Sequence, residues 1–142
     1  MKIKISSELT PDARRIRTLV FVEEQGFTQE FDEIDDRAFH LVAYENHSPI
    51  AVCRVYQDTN SEFHIGRLAV LPRYRGRNIG HTLLTAAEDL IRQEQGARSW
   101  LNAQVRAQDF YTRAGYQSTS QFSTEDEVLH CLMYKTLSAA PN

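Results

Sequence analysis

The stretch RLAVLPRYRGRNIGHTLL, Arg67 to Leu84, narrows the choice of fold more than any other. An apolar run stops at Pro72. Three arginines, two glycines and an asparagine follow within a few positions, and then a helical stripe of leucines begins. A strand that feeds straight into a helix, and from there into another strand, makes a right-handed crossover between parallel neighbours. RSWLNAQV, starting at Arg98, is that next strand. One parallel pair is therefore built into any sheet this chain forms.

The remaining elements read from period and punctuation. KIKIS alternates as a short first strand. TPDARRIRTLVFV reads as a helix, with Thr10 as cap, Pro11 at the first helical position, and Ala13, Ile16, Leu19 and Val20 on one side. FHLVAYE, IAVCRVYQ and EFHIGRLAVL are rich in β-branched and aromatic residues and are parted by the turn segments NHSP and DTNS. They form an antiparallel meander. The helix after the junction carries Ile79, Leu83, Leu84, Ala87, Leu90 and Ile91 on one stripe and stops at Gly96, read as a left-handed terminator. AQDFYTRAG is a short helix closed by Gly115, and YQSTSQF with VLHCLMYKTL makes a final hairpin. The expected fold class is α+β: a mixed, mostly antiparallel sheet with a parallel β4–β5 pair, flanked by helices. Residues 1–137 form one domain, and residues 138–142 are read as a loose tail.

Composition excludes several classes. A length of 142 residues with 42% hydrophobic content suits one core. The net charge of −3 lacks the basic excess of a nucleic-acid binder. Cys53 and Cys131 sit in apolar strand runs and read as small buried hydrophobes. No spacing suggests a metal. The start, MKIKISSELT, has no apolar core of a signal peptide, and no run approaches a membrane span. A cytoplasmic protein is the expectation. The final hairpin is an edge on which two copies could pair as a homodimer.

The arginine–glycine junction has its own chemistry. The first turn of a helix carries unpaired N–H groups at the positive end of its dipole, and such an end binds phosphate. Gly76 and Gly80 permit close approach of a ligand to the backbone, and Asn78 tolerates left-handed geometry. Arg73, Arg75 and Arg77 can add charge-assisted contacts. Neither a Walker loop nor a dinucleotide fingerprint is present. On the residues alone, a plain strand–helix turn with solvated arginines stands beside the phosphate reading. The connector EEQGFTQEFDEIDDRA, with Glu23, Glu24, Glu30, Asp32, Glu33, Asp35 and Asp36, likewise has two readings: solvated surface, or one wall of a pocket that attracts a cation.

RLAVLPRYRGRNIGHTLLTAAE resembles the acyl-CoA-binding segment of the GNAT superfamily of N-acetyltransferases. That motif is Arg/Gln-x-x-Gly-x-Gly/Ala: Arg75 opens it, Gly80 closes it, and Asn78 replaces its first glycine. AQDFYTRAGYQ resembles the family's second segment, in which Tyr111 falls on the tyrosine that often serves as general acid. RTLVFVEEQ, followed by HLVAY, is similar to the ElaA-like and YjcF-like members, with Arg17, Glu24, Gln25 and His40 on the matching positions. Gln104, Asp126 and His130 match the same branch further on.

The resemblance implies an acyl-CoA-dependent N-acetyltransferase acting on acetyl-CoA and a primary amine, with no nucleic acid, membrane or metal involved. Backbone N–H groups from Arg75 through Gly76, Arg77, Asn78, Ile79 and Gly80 to His81, with the Arg75 and Arg77 side chains, are expected to hold the pyrophosphate. The backbone of Leu68, Ala69 and Val70 aligns the pantetheine arm and offers the oxyanion donor. Tyr111 is the expected acid and Glu24 the expected base, with His40 and His130 as rivals for the base. Arg17, Gln25, His40, Gln104 and His130 are the acceptor-side candidates. A module that holds acyl-CoA without transferring the acyl group is the alternative.

Overall fold

The computed structural model describes residues 1–138. Seven strands form one sheet in the order β1-β2-β3-β4-β5-β7-β6: β1 Lys2–Ser6, β2 Phe39–Glu45, β3 Ser48–Gln57, β4 Phe63–Val70, β5 Arg98–Gln104, β6 Gln117–Glu125 and β7 Val128–Thr136. Every neighbouring pair is antiparallel except β4 and β5. The mixed sheet with one parallel pair is the architecture that the crossover argument demanded. Cys53 and Cys131 are free and buried, as their strand runs implied.

Helices cover both faces. Helix α1 (Pro11–Arg17) starts at Thr10, whose Oγ1 accepts from the Ala13 N–H at 3.2 Å. It continues without a break as a π-helical turn, Thr18–Glu24, which Gly26 ends at φ 80°. Ala13, Ile16, Val20 and Phe21 pack on Val42, Val52 and Ala69. Helix α2 (Ile79–Gln93) buries Leu83, Leu84, Ala87 and Ile91 against the opposite face, where Leu41, Cys53, Val55 and Ile65 wait. Helix α3 (Gln108–Arg113) follows a 3₁₀ turn at Val105–Ala107 and closes at Gly115, φ 100°. Of the expected loose tail, Ser138 accepts a bond from Arg92 Nε at 3.0 Å. Residues 139–142 lie outside the described chain.

One expectation is corrected at the end of α2. Gln95, not Gly96, takes the left-handed conformation, at φ 65°. Gly96 is required for space: a Cβ there would lie 2.4 Å from Ile91 Cγ2 and 2.6 Å from Phe63 Cδ2. Backbone freedom and room are different reasons for a glycine, and they fall on adjacent residues here.

A buried ion network docks the connector onto the sheet. Arg17, fully buried, donates to Glu30 Oε2 and Asp35 Oδ1, both at 2.7 Å. Arg54 on β3 donates to Asp35 Oδ1 at 2.9 Å and Asp32 Oδ1 at 2.8 Å. Burial alone pushes the Asp35 carboxyl up, but the hydrogen bonds and charge of Arg17, then Arg54, outweigh it and hold the group well below the carboxylate range.

Two stability predictions follow from these contacts. Gly96→Ala loses about 1–3 kcal/mol through overpacking, whereas Gln95→Gly gains up to about 1 kcal/mol by relieving left-handed strain; urea midpoints at constant m-value measure both. Because its folded pKa is depressed, Asp35 stabilises the fold above its unfolded pKa of about 3.9, and that contribution is lost as pH falls further. The stability gap between wild type and Asp35→Asn therefore narrows below about pH 4. Equal gaps at pH 7 and pH 3 would show that Asp35 is not held as an ion.

Candidate active site

The junction after β4 is shaped as an anion cradle. Pro72–Tyr74 makes one 3₁₀ turn, and Gly76 and Asn78 then adopt positive φ, 80° and 60°. Asn78 takes the left-handed position at the start of α2, and its carbonyl accepts from the Thr82 N–H and Oγ1, both at 3.0 Å. Among the described residues, the backbone N–H groups from Gly76 to His81 have no acceptor. A Cβ on Gly76 would meet nothing within 4 Å, so the cradle is open there. Gly80 serves packing instead: a Cβ would reach 3.4 Å from Phe110 Cζ. Arg73 and Arg77 flank the Tyr74 ring at 5.4 and 5.5 Å, close to the cradle.

Arg75 departs from expectation. Its side chain turns back, donating from Nε to the Val70 carbonyl at 2.9 Å and from its two terminal nitrogens to Glu24 at 2.9 and 2.8 Å. Its N–H is engaged as well, by the Pro72 carbonyl at 3.2 Å, so Arg75 offers the cradle neither the side chain nor the N–H expected of it. Glu24 is corrected with it. The hydrogen bond from Arg75 is the main cause that holds its carboxyl below the ordinary value, and the residue does not line the cleft. A carboxylate whose two oxygens are already bonded is a weak proton acceptor.

Strand β4 parts from β5 almost at once. Register is kept only at Phe63 with Ser99 and His64 with Trp100. The cause lies in β4: two residues, Arg67 and Leu68, face the single Cys53 of β3, and Arg67 adopts φ 54°. Such a bulge bends its strand. Beyond it the Leu71 N–H bonds Ile50 of β3 at 2.9 Å, so by alternation the polar groups of Val70 point the other way, into the gap. Val70 thus presents its backbone at an edge that β5 does not pair, while the polar groups of Ala69 turn to β3, which corrects its assignment to the pantetheine edge.

A cleft of about 650 Å³ opens beside β4 from His64 to Leu68. Tyr111 borders it, set edge-on to Phe110 at 5.0 Å and to Tyr116 at 6.0 Å. Burial pushes the phenol's pKa up, so at neutral pH it holds its proton. Its hydroxyl bonds nothing among the described residues.

Gln25, Gln104 and His130 also line the cleft. Gln104 Nε2 donates to Gln25 Oε1 at 2.9 Å, joining the π-helical turn to β5. His130 places Nδ1 2.9 Å from the Val128 carbonyl and Nε2 3.1 Å from Glu125, so both ring nitrogens are engaged. Thr28 donates to Asp126 at 2.8 Å and ties the connector to the β6–β7 turn.

Arg17 and His40 do not reach the cleft. Arg17 is spent inside the ion network. His40 is buried, with Nε2 2.9 Å from the Asp35 carbonyl, and desolvation lowers its pKa. Both are placed as supports for the connector, which corrects their assignment to the acceptor side. Glu30, named in the sequence only as one of seven connector acids, and Arg67, not singled out there, do line the cleft, as the pocket-wall reading of the connector expected for Glu30. The connector has no period from which one acid could be picked out of seven.

The comparisons bear on this geometry. A family model for the Acetyltransferase (GNAT) domain matches residues 7–137. Bacillus subtilis YjcF, named as an uncharacterized N-acetyltransferase, is 29% identical over 118 residues, covering 82% of this chain and 84% of the relative. A Lactobacillus plantarum protein named as an N-acetyltransferase superposes with a TM-score of 0.86 at 32% identity, covering 97% of this chain and 100% of the other. Escherichia coli ElaA shares the fold at a TM-score of 0.82 and 23% identity, covering 95% and 99%. Fold and family model together define the class, an acetyltransferase domain. The chain belongs to the GNAT acetyltransferase family. It is an acyl-CoA-dependent N-acetyltransferase with acetyl-CoA as cosubstrate.

Removal of Glu24 is a direct check on its place in the site. Glu24→Gln leaves the pKa values of the pH–rate profile in place, because the lost carboxylate was bound to Arg75; disappearance of the acidic limb would return Glu24 to the role of base.

Proposed function

We propose that this chain moves an acetyl group from acetyl-CoA to a primary amine by direct attack, with both substrates bound together. The observation that carries the reading is that one cleft is bordered both by β4, from His64 to Leu68 where its pairing with β5 has ended, and by Tyr111. Acetyl-CoA, when bound, supplies the acetyl thioester.

The N–H groups from Gly76 to His81 hold the pyrophosphate, where the α2 dipole adds its positive end. The Arg77 side chain, more than half exposed, can swing to assist. Leu68 and Val70 offer backbone groups to the pantetheine arm as a neighbouring strand would. The Val70 N–H lies on the same free edge and serves as the oxyanion donor. Tyr111 donates a proton to the departing sulfur. A thiol titrates near ~8.5 and an ordinary phenol near ~10, so a phenol kept protonated by burial is a donor that does not ionise early. Gln25 and Gln104 form the acceptor end of the cleft.

Calorimetry with acetyl-CoA, beside a turnover assay on primary amines, tests the reading. Wild type is expected to bind acetyl-CoA tightly, and a desulfo-adenosine fragment without the pyrophosphate is expected not to bind. Tyr111→Phe is expected to lower kcat by about 10²-fold or more at unchanged acetyl-CoA affinity. A Tyr111→Phe enzyme with full kcat removes the phenol from the mechanism. Absence of acetyl-CoA binding removes the transferase reading.

A further inference from the structure

Glu30 stands apart from the other acids of the connector. It is 4% exposed yet borders the cleft. Its Oε2 is held from behind by Arg17 Nε at 2.7 Å and from β4 by Arg67 Nε at 3.1 Å. Its backbone carbonyl accepts from Arg17 at 3.0 Å and from Arg67 Nη2 at 3.0 Å. The other oxygen, Oε1, accepts no hydrogen bond among the described residues, and it is not among the atoms sealed away from solvent without a partner. This side chain is gripped firmly by one oxygen while its second oxygen is unbonded, in a residue that lines the cleft.

The position has a cause in the backbone. Arg67 occupies the extra residue of the β4 bulge, at a φ that a non-glycine residue adopts only at a cost. That twist carries its side chain onto Glu30. The same bulge opens β4 from β5. One irregularity therefore creates the free strand edge and fixes a carboxylate beside it.

We infer that Glu30 Oε1 receives the ammonium group of the acceptor and takes its proton, which makes the acceptor a cationic primary amine. This rests on the transferase reading above. The ammonium gives one proton to Glu30 and becomes a neutral amine. Its nitrogen forms the bond to the acetyl carbon as the carbon–sulfur bond breaks. Tyr111 protonates the sulfur, and the second amine proton returns to Tyr111. Glu30 gives its proton to solvent through the cleft. The sum is ammonium and acetyl thioester giving amide, thiol and one proton.

The surroundings agree. Burial pushes the Glu30 carboxyl up, against the opposing pull of Arg67 and Arg17. The charged groups facing it are Arg17 from α1, Arg67 from β4, Arg54 from β3, and Asp32 and Asp35 from the connector. Glu125, Asp126 and His130 close the cleft from the β6–β7 hairpin. Arg54 is already bonded to Asp32 and Asp35, so it does not repel an entering cation as a free guanidinium would.

The test uses the whole chain with acetyl-CoA and glycinamide, a small cationic primary amine, supplied up to high concentration. Acetyl-CoA binding is measured alongside. Glu30→Gln is expected to bind acetyl-CoA as wild type does, to lose about 10²–10⁴-fold in kcat/KM, and to lose the acidic limb of the pH–rate profile. Glu30→Asp keeps the charge that Arg17 and Arg67 require and so keeps the fold. It draws the free oxygen back by one methylene and is expected to lose kcat while retaining the limb. Wild-type kcat/KM in Glu30→Asp, or an unchanged acidic limb in Glu30→Gln, overturns the role of Glu30 and leaves the transferase reading standing. Wild type that binds acetyl-CoA but acetylates no glycinamide at any pH overturns both.

Discussion

The ion network around Arg17 is the constraint on which the working half of the molecule depends. Without it the acid-rich connector between the π-helical turn and β2 would be anchored by little beyond Phe27 and Ala38. Arg17 is wholly buried and Arg54 nearly so, and each is matched by carboxylates at hydrogen-bond distance. Replacing such a network with apolar residues can leave stability unchanged, yet removing one member leaves a stranded charge that costs about 3–5 kcal/mol. The network's return is position. It fixes Glu30, Asp32 and Ile34 as one wall of the cleft. The helix that supplies Arg17 is itself pinned by Ala13, Ile16 and Val20 on the sheet, so the apolar core sets where the charges meet.

The bulge in β4 does for the other wall what the network does for the connector. A straight β4 would pair with β5 along its length, and the edge from Leu68 to Val70 would be consumed by backbone bonds. The extra residue removes that pairing after His64. It also delivers the Arg67 guanidinium to Glu30 and Asp32. The two walls are joined through one side chain, so the width of the cleft and the placement of its carboxylate are set together.

What could be read in the sequence follows the range of the interaction responsible. Strands, helices and the parallel pair were legible because period and crossover geometry act locally or through simple topology. The cradle was legible to the level of Asn78, whose left-handed φ was expected from its type. Gly96 was misassigned because a left-handed terminator and a steric hole look the same in one dimension. Arg17 and His40 matched acceptor-side positions by resemblance, but burial is a property of packing, and packing put both behind the cleft wall. Glu24 and Arg75 lie 51 positions apart. Nothing in the sequence signals that their side chains meet. Glu30 sits in an irregular segment where no period distinguishes it from Glu33.

The division between strong and weak contacts fits a site that must change hands. The groups that define the cleft are held by buried ion pairs and by core packing, and they lose much if disturbed. The Val70 carbonyl, which belongs to the free strand edge, is covered by a bond from Arg75, and Arg75 is in turn held by an ion pair with both side chains about two-fifths exposed. Exposed pairs of this kind contribute about 0–1 kcal/mol. Arg75 can therefore release Val70 at little cost and rejoin Glu24 afterwards. Its partner explains why the arginine that opens the motif points away from the cradle: in the proposed reading the backbone N–H groups from Gly76 to His81 hold the pyrophosphate, and their positions are set by φ at Gly76 and Asn78. Rigidity is placed where geometry has to persist, and the contacts that cover the ligand's backbone partners are the ones that break easily.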